Sequence, residues 1–158
     1  MKLKDLISLK FLCFFAYLNI VFSFCTLVLH DAFYYIFQDI YEWAGKIRII
    51  NIEKPEPALG GISIEYSDCF DIEKDATFVL NKMNQYAWEK ASLEEVAKIF
   101  SQYLAELWKV HPYREGNTRT VITFCSQFIE SRGFYIDSDL FKDNAQYMRT
   151  ALVAASAL

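Results

Sequence analysis

Histidines and paired cysteines are scarce in this sequence. It contains only two histidines, His30 and His111, and its four cysteines form no CxxC pair. Neither histidine stands at ligand spacing from a cysteine, which argues against a zinc site and against a disulfide framework. Reduced thiols in a cytosolic protein fit this pattern better.

Excess positive charge, internal repeats and low-complexity linkers are also absent. The chain carries 16 lysines and arginines against 20 acidic residues, a net charge of −4. We therefore expect no broad nucleic-acid-binding face and no nucleic-acid partner. A length of 158 residues fits one domain with a single core.

A long apolar run stands near the N-terminus. Residues 11–29 carry no charge, follow three lysines and nearly reach the length of a bilayer-spanning helix. One interpretation is a membrane span, which the lysines would orient so that the rest of the chain crosses the membrane. The other is a very apolar core helix. We treat residues 1–26 as an apolar N-terminal helix of uncertain status.

The rest of the chain predicts a mainly α-helical fold with one small β-flap. Apolar and aromatic residues crowd positions 27–43, which predicts a helix that stops near Gly45. The β-branched stretch "KIRIINI" follows, and then a segment with two prolines and a Gly-Gly pair. Together they predict a short hairpin or flap between Ile47 and Tyr66.

Four further helices are predicted. Asp71 is placed to cap a helix that reaches residue 83 or 84. Ser92-x-x-Glu95 is a capping-box pattern that opens an amphipathic helix. A third apolar helix stops near Gly133, and the last helix runs from about residue 137 to the end of the chain.

The polar stretch "HPYREGNTR", residues 111–119, lies between two of these apolar helices. Pro112 disfavours helical conformation at His111, so the preceding helix should end there. Gly116 and Asn117 tolerate tight or left-handed backbone, and the next helix should begin around residues 118–120. Its free N–H groups would then face the loop as an anion site, above all for phosphate.

The side chains of this loop complete a set that suits phosphate-group transfer. His111 is the only nearby group with an ordinary pKa close to neutral, so it is the natural general base. Glu115 beside a phosphate requires an intervening cation, which Mg²⁺ bound by one carboxylate would supply. Arg119 and the Asn117 amide add a positive charge and a hydrogen-bond donor for an anion.

This stretch resembles the signature of the Fic family (filamentation induced by cAMP), H-P-F-x-[D/E]-G-N-[G/K]-R-x-x-R. The upstream "FQDIYEWAGKIR", Phe37 to Arg48, is similar to the family's helix-to-flap junction. The resemblance implies a Fic domain over residues 27–158, cut short at its C-terminus, with a Fic-type helical core and a small β-hairpin flap.

The resemblance also implies an activity, protein AMPylation, in which AMP moves from ATP to a Ser, Thr or Tyr hydroxyl of a target protein. His111 would deprotonate that hydroxyl as the catalytic base, and Glu115 would hold Mg²⁺. The remaining loop residues would bind the nucleotide phosphates: Gly116, Asn117, Thr118 and Arg119.

The same resemblance also assigns roles to the flap and to the last helix. The flap, 47–66, would dock the target protein by strand pairing. Asn144 and Tyr147, on the last helix, would approach the adenine. Because this chemistry needs ATP, we favour a buried N-terminal helix and a cytoplasmic protein; the alternative is a membrane anchor through residues 11–29.

Three positions depart from the family's pattern. Tyr113 replaces phenylalanine, Thr118 stands where glycine is usual, and Ile122 stands where the family often has a second arginine. These changes keep two alternatives open. One is a Fic-type transferase of another phosphate-containing group, such as UMP, phosphocholine or phosphate. The other is a catalytically impaired interaction domain.

Overall fold

The computed structural model describes residues 24–157, apart from the side chain of Ser138. Six α-helices make up most of this part of the chain. They are α1 (Thr26–Phe37), α2 (Ile72–Gln85), α3 (Leu93–Val110), α4 (Asn117–Ser131), α5 (Ser138–Asp143) and α6 (Ala145–Ser156). Short 3₁₀ helices, Pro57–Leu59 and Trp88–Lys90, lie in the connections. The predicted mainly α-helical class is confirmed.

Helix α3 lies at the centre of the fold and packs against α2, α4 and α6. It begins with the predicted capping box, in which Ser92 and Glu95 each accept a hydrogen bond from the backbone N–H of the other. Its apolar face is buried, and Leu107 and Trp108 are fully enclosed. Because α3 is held on three sides, the loop that follows Val110 begins at a defined place.

The buried apolar side chains form two clusters. The larger cluster joins α1, α2, α3, α4 and α6 and includes Trp88, whose indole N–H donates to the Met83 carbonyl at 2.7 Å. The smaller cluster contains Phe33, Ile36, Phe37, Ala44 and Tyr113. Since Tyr113 belongs to the polar loop, the loop is anchored to this smaller cluster through its side chain.

Helix α1 is shorter than predicted. We expected it to reach residue 43, but it ends at Phe37, and turns occupy most of the chain from there to Gly45. The aromatic residues that suggested a helix stack on one another instead, and the Tyr41 and Trp43 ring centroids lie 4.3 Å apart. An aromatic-rich stretch therefore marked a packed segment, but not a continuous helix.

The predicted flap is a hairpin with little strand pairing. Its arms meet at one isolated antiparallel bridge, Pro55 with Ser63, and the Glu56 N–H donates to the Ile62 carbonyl at 3.2 Å. Residues 24–157 contain no longer strand. Prolines at 55 and 57 have no N–H to donate, which limits the ladder that this sequence can form.

The predicted last helix is divided in two. Helix α5 ends at Asp143 and α6 begins at Ala145, with Asn144 between them at φ −113° and ψ 30°. The Asn144 side chain donates to the Leu140 carbonyl at 2.9 Å, and bonds of this kind compete with helical ones. After the break, α6 packs against α3 and against the 3₁₀ helix of the flap.

The predicted N-terminal helix, residues 1–26, lies almost entirely outside the described residues, as does most of the apolar run 11–29. Between residues 24 and 157, no helix is both long enough and apolar enough to cross a bilayer.

Candidate active site

The polar loop begins with His111 in the left-handed region, at φ 50° and ψ 58°. Between residues 24 and 157 it is the only residue other than glycine with a positive φ. An L-residue adopts this conformation at an energetic cost, so its surroundings must hold it there. Helix α3 ends at Val110, as the following His-Pro pair predicted.

Arg48 holds this backbone in place. Its side chain is buried, and its Nε donates to the His111 carbonyl at 2.9 Å. Its Nη1 donates to the Ile50 carbonyl at 2.9 Å, and its Nη2 donates to the Ser67 carbonyl. One guanidinium therefore joins the loop to both ends of the flap. Sequence reasoning included Arg48 only as the end of a motif and missed this role.

The imidazole of His111 lies between two aromatic rings. Its centroid is 4.1 Å from that of Tyr66 and 5.3 Å from that of Trp108. Both ring nitrogens are buried, and neither has a hydrogen-bond partner within the described residues. Burial, and then the charge of Lys54, lower the pKa of His111 to about 3. The ring is therefore neutral at pH 7, and one of its nitrogens carries a lone pair that can accept a hydrogen bond.

The loop requires glycine at position 116. Gly116 has φ +81°, and a Cβ built there would lie 2.7 Å from the ring of Phe37 and 3.1 Å from that of Phe33. Both the backbone conformation and the ring contacts exclude a larger residue without rearrangement. Gly116 thus lets the loop approach the smaller aromatic cluster closely enough to turn into α4.

Tyr113, which replaces the phenylalanine of the signature, finds partners for its hydroxyl. The hydroxyl donates to the Leu29 carbonyl at 3.2 Å and lies 2.8 Å from Nδ1 of His30. Its ring stacks on Phe33 with centroids 3.8 Å apart. The tyrosine is therefore accommodated as a buried, hydrogen-bonded packing residue.

Asn117 braces the loop with its side chain. Its Oδ1 accepts from the Tyr113 N–H at 2.9 Å, and its Nδ2 donates to the Tyr113 carbonyl at 2.6 Å. We expected this amide to donate to an anion, but it faces the loop backbone instead. Its main-chain N–H still opens α4.

The first turn of α4 has no cap. Gly116 occupies the N-cap position, so no N-cap side chain accepts from the N–H groups of the turn, and the turn contains no acidic residue. Its N–H groups therefore lack helical acceptors and carry the positive end of the helix dipole. The Arg119 guanidinium lies 4.6 Å from the centre of the Phe37 ring. The Thr118 hydroxyl accepts from the indole of Trp108 at 2.9 Å.

Glu115, the predicted Mg²⁺ ligand, faces a cation. Its side chain is 62% exposed, and Nζ of Lys54 in the flap lies 3.1 Å from its Oε1. Residues 24–157 hold no group of three His, Cys, Asp or Glu side chains that could bind a metal ion. A metal ion at Glu115 would thus need phosphate and water ligands, an arrangement typical of Mg²⁺. Glu115 fits Mg²⁺ in this respect, because its carboxylate is exposed and already pairs with a positive charge, that of Lys54.

These groups surround a cavity of about 310 Å³. His111 and residues 115–119 line it from the loop and α4, and Lys54 lines it from the flap. The structure therefore brings together the predicted base, the predicted metal ligand and all four predicted phosphate-binding residues.

Helix α6 completes the cavity with residues other than the predicted ones. Ala145, Gln146 and Arg149 contribute to the lining, whereas Asn144 and Tyr147 do not. Tyr147 is 73% exposed. No local pattern marks Arg149 in the sequence, because its partner, Glu56, is 93 residues away.

Two curated proteins are similar to this chain in sequence. "Probable protein adenylyltransferase y4lH" of Sinorhizobium fredii is 34% identical over 103 residues, which cover 65% of this chain and 51% of that protein. "Protein adenylyltransferase VbhT" of Bartonella schoenbuchensis is 35% identical over 108 residues, which cover 66% of this chain and 20% of that protein. The chain thus spans about half or less of the length of these relatives.

The fold is similar to that of solved structures. The BepC protein of Bartonella tribocorum, with bound AMPPNP, matches with a TM-score of 0.71 at 17% identity, over 98% of this chain and 80% of that one. At this identity the likeness concerns the fold alone. The Fic/DOC family profile matches residues 27–129, from α1 through most of α4. Because this match covers more than half of the sequence, the chain belongs to the Fic/DOC family.

Proposed function

We propose that this chain is a protein adenylyltransferase that transfers AMP from ATP to a serine, threonine or tyrosine hydroxyl of a target protein. The observation that carries the proposal is the state of His111. Its imidazole is buried and neutral, and its nitrogens have no partner among the described residues. Buried polar groups without partners are rare, and this one lines a cavity where a ligand can satisfy it.

In the proposed reaction, the target hydroxyl oxygen attacks the α-phosphorus of ATP. An oxygen–phosphorus bond forms, the bond from that phosphorus to the bridging β-oxygen breaks, and pyrophosphate leaves. His111 accepts the hydroxyl proton as the new bond forms. Phosphate charge beside the ring raises its pKa from the low value of the free protein and so favours the protonated product.

The first turn of α4 is the proposed phosphate site. Its uncapped N–H groups and its dipole attract anions, and Arg119 adds a positive charge at the same end. Glu115 would hold Mg²⁺, and the bound ion would neutralise part of the phosphate charge. Asn117 and Thr118 contribute main-chain N–H groups, while their side chains hold the loop and Trp108.

The relatives support the type of reaction. Two of them carry the name protein adenylyltransferase and share about a third of their aligned residues with this chain. The BepC structure, which has the same fold, contains the nucleotide AMPPNP. Both observations agree with a phosphate site at α4 that accepts a nucleotide.

The flap, 47–66, is the proposed docking surface for the target protein. Its arms pair at a single bridge, so most of its main-chain N–H and C=O groups make no hydrogen bond from one arm to the other. Ile49, Ile50 and Ile62 expose 74%, 57% and 71% of their surface. An extended segment of the target could pair with the flap backbone and cover these side chains.

Transfer of a radioactive label tests the proposal. Purified protein is incubated with Mg²⁺, a cell lysate and ATP labelled at the α-phosphate, in parallel with the His111→Ala variant. We expect labelled target protein with the parent chain and none with the variant. Label from γ-labelled ATP, α-labelled UTP or labelled CDP-choline would instead indicate transfer of phosphate, UMP or phosphocholine. Transfer from none of them would reject the proposal in favour of an interaction domain.

A further inference from the structure

His30, the second histidine of the chain, joins three elements of the fold. It belongs to α1, and Nδ1 of its imidazole lies 2.8 Å from the hydroxyl of Tyr113 in the polar loop. Its Nε2 lies 3.1 Å from Oε1 of Glu73 in α2. The His30 side chain is 15% exposed and does not line the cavity. Both of its ring nitrogens thus have partners, in contrast to those of His111, which have none within the described residues.

The partners of His30 determine where its protons lie. An ionised carboxylate accepts hydrogen bonds and donates none, so Nε2 of His30 carries a proton and donates to Glu73. The Tyr113 hydroxyl has one proton and faces two groups, Nδ1 of His30 and the Leu29 carbonyl. It can donate to an unprotonated Nδ1, or accept from a protonated one while it donates to the carbonyl. The hydroxyl therefore stays bonded to His30 in either protonation state of the imidazole.

Tyr113 transmits this contact to the backbone of the loop. Its side chain is fully buried, and the side-chain amide of Asn117 bonds to both its N–H and its carbonyl. Only Pro112, whose ring fixes φ, separates Tyr113 from His111. The position of Tyr113 therefore limits the directions that the backbone of His111 can take, and with the backbone those of the imidazole.

We infer that His30 is a positioning residue for the base of the proposed transfer, and that it acts through the hydroxyl of Tyr113. The inference rests on the proposed function, because it concerns His111 as a base. The phenylalanine of the Fic signature has no hydroxyl, whereas this chain has both the hydroxyl and a histidine bonded to it. Through Glu73, which is 55% exposed, the support of the loop extends to the surface of α2.

The rate of transfer should depend on this support. A displacement of about 1 Å at a reacting group can lower a rate about a hundredfold, so a small movement of the imidazole is enough to matter. Binding of ATP should depend on it much less, because neither His30 nor Tyr113 lines the cavity. A positioning role therefore predicts a loss in the maximal rate with little change in KM for ATP.

Kinetics of AMP transfer test the path from His30 to the loop. Initial rates are measured with α-labelled ATP at varied concentration and a fixed amount of lysate. We expect Tyr113→Phe and His30→Leu each to lower the maximal rate about tenfold and to leave KM for ATP within about twofold. The double variant should be no worse than either single one, because both side chains act through one bond. Losses that multiply in the double variant overturn the inference.

A conservative variant and a matched control separate positioning from general damage. In His30→Gln, the amide supplies one acceptor and one donor group, so it should recover about half of the lost rate or more. Tyr86→Phe also removes a tyrosine hydroxyl, but Tyr86 packs against Trp88, and its rate should match that of the parent chain. Equal losses in His30→Gln and His30→Leu, or in Tyr86→Phe and Tyr113→Phe, contradict the inference.

NMR signals of the histidine rings give a readout that needs no transfer. The chain has two histidines, so the ring signals that remain in His30→Leu belong to His111. The His111 ring lies between those of Tyr66 and Trp108, and the fields of these rings make its signals sensitive to small displacements. We expect His30→Leu and Tyr113→Phe to shift these signals, and Tyr86→Phe to leave them in place.

The NMR and kinetic results distinguish the two proposals. Signals of His111 that do not move in Tyr113→Phe overturn the inference, and this variant, which loses a single oxygen, serves also if His30→Leu does not fold. A parent chain that transfers no AMP contradicts the proposed function, while shifted signals still support the path from His30 through Tyr113. Transfer of AMP with unchanged rates and signals in the variants contradicts the inference alone.

Discussion

The indole N–H of Trp108 donates to the hydroxyl of Thr118 at 2.9 Å. Thr118 stands where glycine is usual in the Fic signature. The ring that it holds packs against His111, with centroids 5.3 Å apart. Thr118 thus connects the first turn of α4 to the end of α3, and its side chain supports the neighbourhood of the imidazole.

Thr118→Val tests this connection, because it keeps the shape of the side chain and removes the acceptor. Trp108 is fully buried, so its N–H is left without a partner. We expect a loss of about 1–3 kcal/mol in the free energy of unfolding, measured by urea denaturation. Thr118→Ser keeps the hydroxyl and should lose less than half as much. Equal losses in both variants would assign the effect to the methyl group instead.

The low pKa of His111 predicts a pH dependence of stability. Its folded value of about 3 lies below 6.5, so the unfolded chain binds more protons within this window. The contribution of His111 is complete above the unfolded pKa and is lost as the pH falls towards the folded one. The slope for one proton is about 1.4 kcal/mol per pH unit. Urea denaturation at a series of pH values should give a shallower slope for His111→Gln, and identical slopes would contradict the assignment.

The charge of Lys54 is the second cause of the low pKa of His111, after burial. Lys54→Met should therefore raise the pKa of His111, though not to its ordinary value, because the ring stays buried. NMR titration can follow this change, since the chain has only two histidines. Lys82→Met, which removes a lysine paired with Glu106 on the surface, is the control. A shift of the same size in both variants would rule out a local effect of Lys54.

Two glycines with positive φ allow a matched test of the loop's close packing. Gly116 and Gly60 have φ +81° and +66°, but only at Gly116 would a Cβ meet neighbouring atoms, at 2.7 Å from Phe37. We expect Gly60→Ala to cost about 1 kcal/mol through its backbone conformation alone. Gly116→Ala adds overpacking and should cost about 3 kcal/mol. Thermal or urea unfolding compares them, and similar costs would mean that the aromatic rings move aside freely.

Features that depend on near neighbours in the sequence could be predicted. The capping box of Ser92 and Glu95 and the end of α3 before Pro112 involve residues at most four positions apart, and both form as expected. The order of groups in the loop was also sufficient to place its residues around one cavity. Local chemistry determines these features because the interacting groups are held together by the chain itself.

Features that depend on how the chain packs could not be predicted, whether the partners are near or far in the sequence. The amide of Asn117 was free to face a ligand or the loop, and only the packed structure turns it to Tyr113. The pair between Glu56 and Arg149 crosses 93 residues, so no pattern marks it. The early end of α1 at Phe37 has the same origin, since aromatic stacking among later residues replaced helical periodicity.

Arg48 is the clearest example of a distant effect and leads to the strongest predicted loss. Its guanidinium donates to main-chain carbonyls of the loop and of both ends of the flap. Arg48→Met leaves these buried acceptors without a donor, and we expect the free energy of unfolding to fall by about 3 kcal/mol or more.

Arg48→Lys separates charge from geometry. A lysine keeps the positive charge but cannot reach several carbonyls from one planar group, so it should recover less than half of the loss. Amide hydrogen exchange adds a local measurement: flap residues 49–66 should exchange faster in both variants, while the N–H groups of α2 change only with global stability. If lysine restores full stability, the positive charge at position 48 holds the loop. The hydrogen bonds of the guanidinium, including the one to the carbonyl of His111, would then not be required.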